Sequence, residues 1–294
     1  MHVIIIANPV SGGGQGRAQA DRLKHALEQH GATVELRTTA KAGDAHEFAR
    51  QAQADAIAVV GGDGTLNEVL NGLDRFTGFL APLPMGTANV VARELRLPRH
   101  PEQLAGLIMQ RQARFMDVGR CEDRLFLLGA GAGLDAAITE ITQQTRHGRK
   151  STLRMWVMPA VRVVFNRHWP TTRVVVDGVL LCEASPYTIV GICRYSAGVF
   201  PATPAAKIDD GLFDVCCFTR LSLWRIALTL LVVYTPLFIR LPWVTHVQGH
   251  TVELTPEIDA RVPLQIDGDP AGELPARFAI EARAIQIITG IPEL

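Results

Sequence analysis

Glycine and carboxylate are concentrated at one point of this sequence: Gly61-Gly62-Asp63-Gly64-Thr65-Leu66-Asn67, directly after the apolar run Ile57–Val60. The run reads as a buried strand, and the residues from Thr65 onward as an amphipathic helix. Glycine at a strand-to-helix turn permits positive φ and lets a ligand approach the backbone closely. The helix start adds unpaired N–H groups and the positive end of a dipole, which together make an anion pocket. A carboxylate, Asp63, inside an anion pocket makes sense if a cation such as Mg²⁺ accompanies the anion, a combination that suggests a nucleoside triphosphate. The bland alternative is a tight βα turn that needs glycine for geometry alone.

Two further carboxylate pairs stand downstream. Lys207-Ile208-Asp209-Asp210-Gly211-Leu212 places two acids at a turn before a strand. Carboxylate plus backbone carbonyl oxygens suits a hard cation, and a polar hairpin explains the same spacing. Ile266-Asp267-Gly268-Asp269 ends another strand with two acids, for which a plain turn is again the alternative.

These residues need a scaffold. With 294 residues, 48% apolar composition, 20% charged residues and no net charge, the chain has the length of one large or two ordinary folded domains. The zero net charge supplies no field for nucleic acid. Cys121, Cys182, Cys193, Cys216 and Cys217 form no C-x-x-C pair, and their odd number indicates reduced, buried thiols rather than a disulfide frame or zinc site. The N-terminal Met1–Ile6 lacks the basic leader of a signal peptide. Ile226–Ile239 is about two-thirds of the length needed to cross a membrane and contains Pro236, so a cytoplasmic protein without a transmembrane segment is expected.

Up to residue 118 strands and helices alternate: strands at His2–Ala7, Thr33–Thr39, 56–60 and Phe79–Leu83, with helices following Gly16, Gly43, Thr65 and Asn89. That rhythm indicates a doubly wound α/β domain with a mostly parallel sheet. Ligands bind such sheets at the carboxyl ends of the strands. The Gly-rich turns near residues 11, 62 and 86 all fall there, so they are expected to face one pocket. From 119 to 294 apolar runs separated by turn signals take over, with Asp177-Gly178 a strong hairpin signal. A second, mostly antiparallel β-rich domain is expected, with helices around 134–146, 153–166 and 222–235, and the active site in the cleft between the two domains.

Other motifs carry less. Nothing matches the lysine-bearing P-loop, and residues 11–17 fail the dinucleotide spacing. Gly131-Ala132-Gly133-Leu134-Asp135-Ala136 does satisfy G-x-G-x-x-A, but residues 141–176 hold no acid to grip a ribose, so these glycines read as a close-packed turn with Asp135 shaping the cleft. That acid-free window holds Arg146, Arg149, Lys150, Arg154, Arg162, Arg167 and Arg173 with Trp156 and Trp169. A second, residues 215–252, holds Trp224 and Trp243. Such surfaces resemble ones that touch anionic lipid, but a solvated basic helix beside an ordinary core helix is the explanation the sequence alone favours. No nucleic-acid reader motif accompanies them.

In order, these motifs resemble the diacylglycerol kinase catalytic-domain family, in particular its soluble bacterial lipid-kinase branch, over nearly the whole chain. The most specific element is Gly61 through Glu68. Supporting it are Asn8-Pro9-Val10-Ser11-Gly12, Thr39 with Gly43-Asp44-Ala45, Pro84-Met85-Gly86-Thr87-Ala88-Asn89, Asp209-Asp210-Gly211-Leu212 and Asp267-Gly268-Asp269. The resemblance implies ATP contacts at Thr39, at Gly61, Gly62, Asp63, Gly64, Thr65, Leu66 and Asn67, and at Thr87. It implies a structural Mg²⁺ held by the backbone oxygens of Lys207 and Leu212 and the Asp210 carboxylate. The family's proton acceptor is a glutamate, third in Asp-Gly-Glu; this chain has Asp269 there, one methylene shorter, with Asp267 as the substitute. Val90-Val91 replaces an Asp-Phe pair, and the substrate-side glycines are thinned to Ser196-Ala197-Gly198.

The expected activity is ATP-dependent phosphorylation of a diacylglycerol-like lipid hydroxyl in phospholipid biosynthesis. Asp63 orients Mg²⁺, Asp269 accepts the proton, and the protein associates peripherally with the membrane surface during turnover. The rival readings are a kinase of a soluble substrate such as a nicotinamide dinucleotide, and a non-catalytic nucleotide-binding membrane adaptor. The acceptor lipid is left open, as is a homodimer.

Overall fold

The computed structural model describes residues 1–74, 76–146, 153–166, 169–195, 200–235, 237–257 and 260–291. The chain divides into two compact units, Met1–Val118 with Arg283–Leu294, and Gly119–Ala282.

In chain order the first unit holds β1 (His2–Ala7), α1 (Ser11–Gly14), α2 (Gly16–Gln29), β2 (Thr33–Thr38), α3 (Asp44–Arg50), β3 (Ala56–Gly61), α4 (Asp63–Gly72), β4 (Phe79–Pro84), α5 (Val90–Glu94) and α6 (Pro101–Met109), and most of β5 (Ala113–Cys121). β1 pairs in parallel with β2 on one side and β3 on the other, and β3 pairs in parallel with β4. The sheet therefore reverses its winding at β1, and the turns after β1 and β3 open at that reversal, where ligands of open α/β sheets bind. Val3–Ala7 and Ala56–Val60 are completely enclosed, as continuous apolar runs must be in a sheet covered on both faces.

The second unit adds β6 (Arg124–Phe126), β7 (Gly129–Gly133), α7 (Leu134–Arg146), α8 (Leu153–Asn166), β8 (Thr172–Val176), β9 (Val179–Ser185), β10 (Tyr187–Gly191), β11 (Phe213–Phe218), α9 (Leu223–Val232), a 3-10 turn (Phe238–Arg240), β12 (Val244–Gly249), β13 (Thr251–Pro256), β14 (Pro263–Ile266), β15 (Asp269–Glu273) and the start of β16 (Ala276–Ile288). One antiparallel sheet runs β12-β11-β10-β7-β14-β15. The other runs β16-β13-β8-β9, its β8–β9 hairpin turning at Asp177 (φ 48°) and Gly178 (φ 79°) as the Asp-Gly pair indicated. Phe126 on β6 stacks on Phe213 of β11 at 5.9 Å and meets Phe278 of β16 edge-on at 6.0 Å, joining the two layers through enclosed aromatic contacts.

Two expectations need amendment. The 131–133 glycines are not a turn: Gly129–Gly133 is a strand between β10 and β14. Its lack of side chains is used for close contact, since a Cβ on Gly131 would lie 2.1 Å from Asp135 Oδ2. The second domain was also expected to continue from 119 to 294, whereas Arg283–Leu294 returns to the first unit. There Gln286 and Ile287 of β16 pair in parallel with Phe79 and Leu80 of β4. Of the basic and aromatic residues noted between 141 and 176, the side chains of Arg146, Arg149, Lys150, Arg154, Trp156 and Arg167 lie outside the described residues, as does Ser196-Ala197-Gly198.

Candidate active site

The three Gly-rich turns of the first unit converge. After β1, the Asn8 carbonyl accepts both the backbone N–H and the hydroxyl of Ser11, which curls the chain into α1. Gly12 there has φ +57°, and a Cβ on it would strike the Met85 side chain of the turn after β4. Asn8 also donates through Nδ2 to Thr65 Oγ1 at 3.4 Å, which ties the first turn to the start of α4. Between the second and third turns the approach is backbone to backbone: a Cβ on Gly62 would meet Gly86 Cα at 3.0 Å, and Met85 N–H donates to Gly61 O at 2.8 Å. No larger residue fits at Gly62 or Gly86 without pushing main chain aside.

Asp63 locks the third turn in place. Its Oδ2 accepts the Val90 N–H at 3.1 Å and its Oδ1 the Val91 N–H at 3.3 Å, so it satisfies the otherwise unpaired first amides of α5. Burial pushes its carboxyl pKa up, and the Val90 and Val91 N–H bonds oppose that rise. Asn89 completes the turn in the left-handed conformation (φ 50°), with Oδ1 accepting Gly86 N–H and Nδ2 donating to Gly86 O, both at 2.7 Å. Asn89 stood in the motif but not among the expected ligand contacts; its spacing of three residues after glycine was the available signal. A small depression is lined here by Gly61, Gly62, Asp63, Leu66, Pro84 and Asn89.

The remaining expected nucleotide contacts take up positions around these turns. Thr39 follows β2, its N–H and hydroxyl both donating to Ala7 O, at 2.9 and 3.4 Å. Gly64 and Thr87 are exposed, Thr65 and Leu66 are buried, and Asn67 accepts the Asn71 side-chain amide through its carbonyl at 2.9 Å. Glu68 accepts the Gly43 N–H at 3.1 Å, so the Gly43 turn is attached to α4.

The second unit carries the other carboxylates. Asp267 has φ 53° and accepts three amide hydrogens, from Leu127 (3.0 Å), Leu128 (2.8 Å) and Gly129 (3.2 Å). It is a staple between the β14–β15 turn and the approach to β7. Asp269, two residues on, is exposed and accepts one hydrogen bond from Gln143 Nε2 of α7 at 3.2 Å. Gln265 links the same turn inward, with Oε1 accepting Gly268 N–H at 2.8 Å and Nε2 donating to Asp135 Oδ2 at 3.0 Å. Asp135 Oδ1 is buried without a hydrogen-bond partner, and burial pushes this carboxyl up to about 7 despite the Gln265 bond. Gln143 and Gln265 could not be picked out from sequence, because a lone glutamine has no spacing signature.

Lys207, Asp210 and Leu212 share one turn, in which Asp210 Oδ1 accepts Leu212 N–H at 3.1 Å and Gly211 has φ +74°. The expected donor set of two backbone carbonyls and one carboxylate consists of hard oxygens, which fits Mg²⁺. It contains a single acidic side chain, and among the described residues no cluster of three or more acids, histidines or cysteines could hold a metal ion.

The chain thus joins a parallel-sheet unit with stacked glycine turns to an antiparallel two-layer unit. Residues 2–121 match the family model "Diacylglycerol kinase catalytic domain", and residues 129–289 match "YegS C-terminal NAD kinase beta sandwich-like domain". The chain belongs to the diacylglycerol kinase-like family that combines these two domains, a family of lipid kinases. It is 27% identical to a diacylglycerol kinase of Staphylococcus carnosus, covering 97% of this chain and 94% of the relative. Identity to a Bacillus subtilis diacylglycerol kinase is also 27%, over 97% and 95% of the two chains. Two crystal structures share the fold. One, of a candidate diacylglycerol kinase of Bacillus anthracis, has a TM-score of 0.80 at 24% identity and covers 98% of this chain and 95% of its own. The other, of a diacylglycerol kinase from the same organism, has a TM-score of 0.74 at 21% identity and covers 98% and 96%. Among the described residues no helix is long and apolar enough to cross a membrane.

Proposed function

We propose that this protein transfers the γ-phosphate of ATP to a hydroxyl of a diacylglycerol-like lipid presented at a membrane surface. The observation that carries this reading is the stacking of the turns after β1, β3 and β4, in which Gly62 and Gly86 touch through their backbones. Glycines packed this closely leave main-chain amides bare for phosphate oxygens. The amides of Gly62, Asp63, Gly64 and Thr65 and the hydroxyls of Thr39 and Thr87 hold the phosphates, with Gly61, Leu66 and Asn67 bounding the site. Asp63 fixes the third turn through the Val90 and Val91 amides, and its carboxylate would orient a magnesium ion. Mg²⁺, when bound, neutralises charge on the phosphates; Lys207, Asp210 and Leu212 would hold a second, structural ion.

Asp269 takes the proton of the lipid hydroxyl. Asp267 is unsuited to that role because three amides occupy it. Gln143 holds the Asp269 carboxylate through one bond, which leaves the rest of its acceptor capacity for the substrate. Positioning and electrostatics supply most of the rate in phosphoryl transfer.

A second reading has one specific observation behind it, the likeness of residues 129–289 to an NAD kinase β-sandwich, which would make the acceptor a nicotinamide dinucleotide. One assay separates the two. With γ-labelled ATP and Mg²⁺, label should appear in diacylglycerol, sphingoid or phosphatidylglycerol lipids offered in vesicles. Label in NAD⁺ alone establishes the second reading. Label in neither, with ATP still bound, leaves a nucleotide-binding adaptor and overturns both.

A further inference from the structure

Helix α9 is apolar on both sides: Leu228 packs on the core, yet a second apolar stripe faces out. A surface helix normally turns its apolar stripe to the core and its polar residues to water. Here the polar Thr229 faces inward, only 6% exposed, with Oγ1 accepting Trp243 Nε1–H at 3.2 Å. Facing outward are Trp224 (59% exposed), Leu230 and Leu231 (76%), followed by Tyr234 and Leu237. The inner side is already served, since Val233, Phe238 and Trp243 close a core with Ile189, Ala202 and Phe218. The outer leucines therefore contribute nothing to that core. Single exposed apolar residues are ordinary, but a continuous stripe on one short segment marks an interaction surface.

The charges around the stripe identify the partner. No Asp or Glu occurs from residue 215 to residue 252. Arg220 and Arg240 are exposed and make no ion pair among the described residues. Arg225 lies over both Trp224 (5.1 Å) and Trp243 (5.4 Å), so the outer indole is held in place by a cation. An apolar stripe whose own segment carries cations and no acid complements a surface that is greasy inside and anionic at its edge. A second copy would set these arginines against its own. At ten residues α9 is about 15 Å long, about half of a bilayer's hydrocarbon core, so it can lie in the interface and cannot cross it.

We propose that Trp224, Leu230, Leu231, Tyr234 and Leu237 insert into the headgroup–acyl boundary of an anionic membrane, with Arg220, Arg225 and Arg240 against lipid phosphates. The proposal builds on the lipid-kinase reading by assigning the face through which the enzyme reaches a lipid acceptor. Embedding both leucines is worth about 10–100-fold each in partition, and each arginine about 5-fold.

The test is flotation of the full-length protein on vesicles of phosphatidylcholine and phosphatidylglycerol in equal amounts, against phosphatidylcholine alone. The wild type should float on the anionic vesicles, and less so as salt is raised. The Leu230→Glu/Leu231→Glu double variant should lose at least 100-fold in apparent affinity while keeping its melting temperature. It should also keep its activity on a short-chain diacylglycerol dispersed as monomers. In a separate measurement, brominated lipid should quench a fluorescence component that disappears in Trp224→Phe. Equal flotation of wild type and double variant, or no quenching of Trp224, overturns the proposal. So does light scattering that shows a wild-type dimer, a monomeric variant and no vesicle binding by either. Vesicle binding through this face without phosphorylation of any lipid would sink the kinase reading and leave the docking surface standing; vesicle-lipid phosphorylation untouched by the double variant does the reverse.

Discussion

The turn at Gly61–Thr65 and the hairpin at Asp267–Asp269 each set a carboxylate beside glycine, yet they use it differently. Asp63 combines both demands in one residue, binding the Val90 and Val91 amides within the turn that would receive the nucleotide. The hairpin divides them. Asp267 spends its oxygens on Leu127, Leu128 and Gly129, whereas Asp269 is exposed with a single bond to Gln143. An acid-glycine pair in a sequence is therefore ambiguous between staple and reactive group, and within the hairpin it is exposure together with accepted amides that separates the two.

If that division is right, Asp63→Ala has the largest effect. It should lower turnover by more than the roughly 10²–10⁴-fold that loss of a general base costs. It should also destabilise the protein by about 1–3 kcal/mol, because two amides at the start of α5 lose their acceptor. Labelled-ATP turnover and thermal denaturation, measured on the same preparation, check both. A variant that loses turnover with full stability would make Asp63 a reactive group only.

Asp269→Asn should separate the two effects in the opposite sense. Turnover should fall about 10²–10⁴-fold, with ATP affinity and melting temperature unchanged, since the side chain is exposed and lightly held. Unchanged turnover removes Asp269 from the reaction. Asp267→Ala is the complementary variant: three amides lose their acceptor, and a stability loss of about 1–3 kcal/mol is expected by denaturant titration. A variant as stable as the wild type would break the comparison at its hairpin end.

The sequence made the first unit readable because alternating apolar runs and glycine turns have direct physical meaning. β1, β3 and β4 and the helices after them lie where periodicity indicates. The convergence of the turns at 11, 62 and 86 followed from the rule that parallel strands present their carboxyl ends together. Contacts without sequence spacing were invisible: the Asp63 grip on Val90 and Val91, Gln143 on Asp269, and Gln265 bridging Asp135 to Gly268. Gly129–Gly133 was misread for a related reason. Glycine ordinarily weakens a strand, and only the close approach of Asp135 and of β10 explains why it is used there.

Asp135 provides the mildest test, because its orphaned oxygen is a cost that neither turn shares. Its carboxyl stands at about 7 in the folded protein against an ordinary 3.8. Between those values the folded state retains a proton that the unfolded state releases, so stability falls as pH rises through the window and levels off above it. Asp135→Asn cannot ionise and still offers Gln265 an acceptor. The difference in stability between variant and wild type should therefore be small near the bottom of the window. It should grow in favour of the variant to about 1–4 kcal/mol above neutrality. Melting temperatures of both proteins across that range measure the difference directly, because contributions from all other carboxylates cancel. A flat difference curve would mean that Oδ1 is solvated and that the interior end of the hairpin network is as relaxed as its Asp269 end.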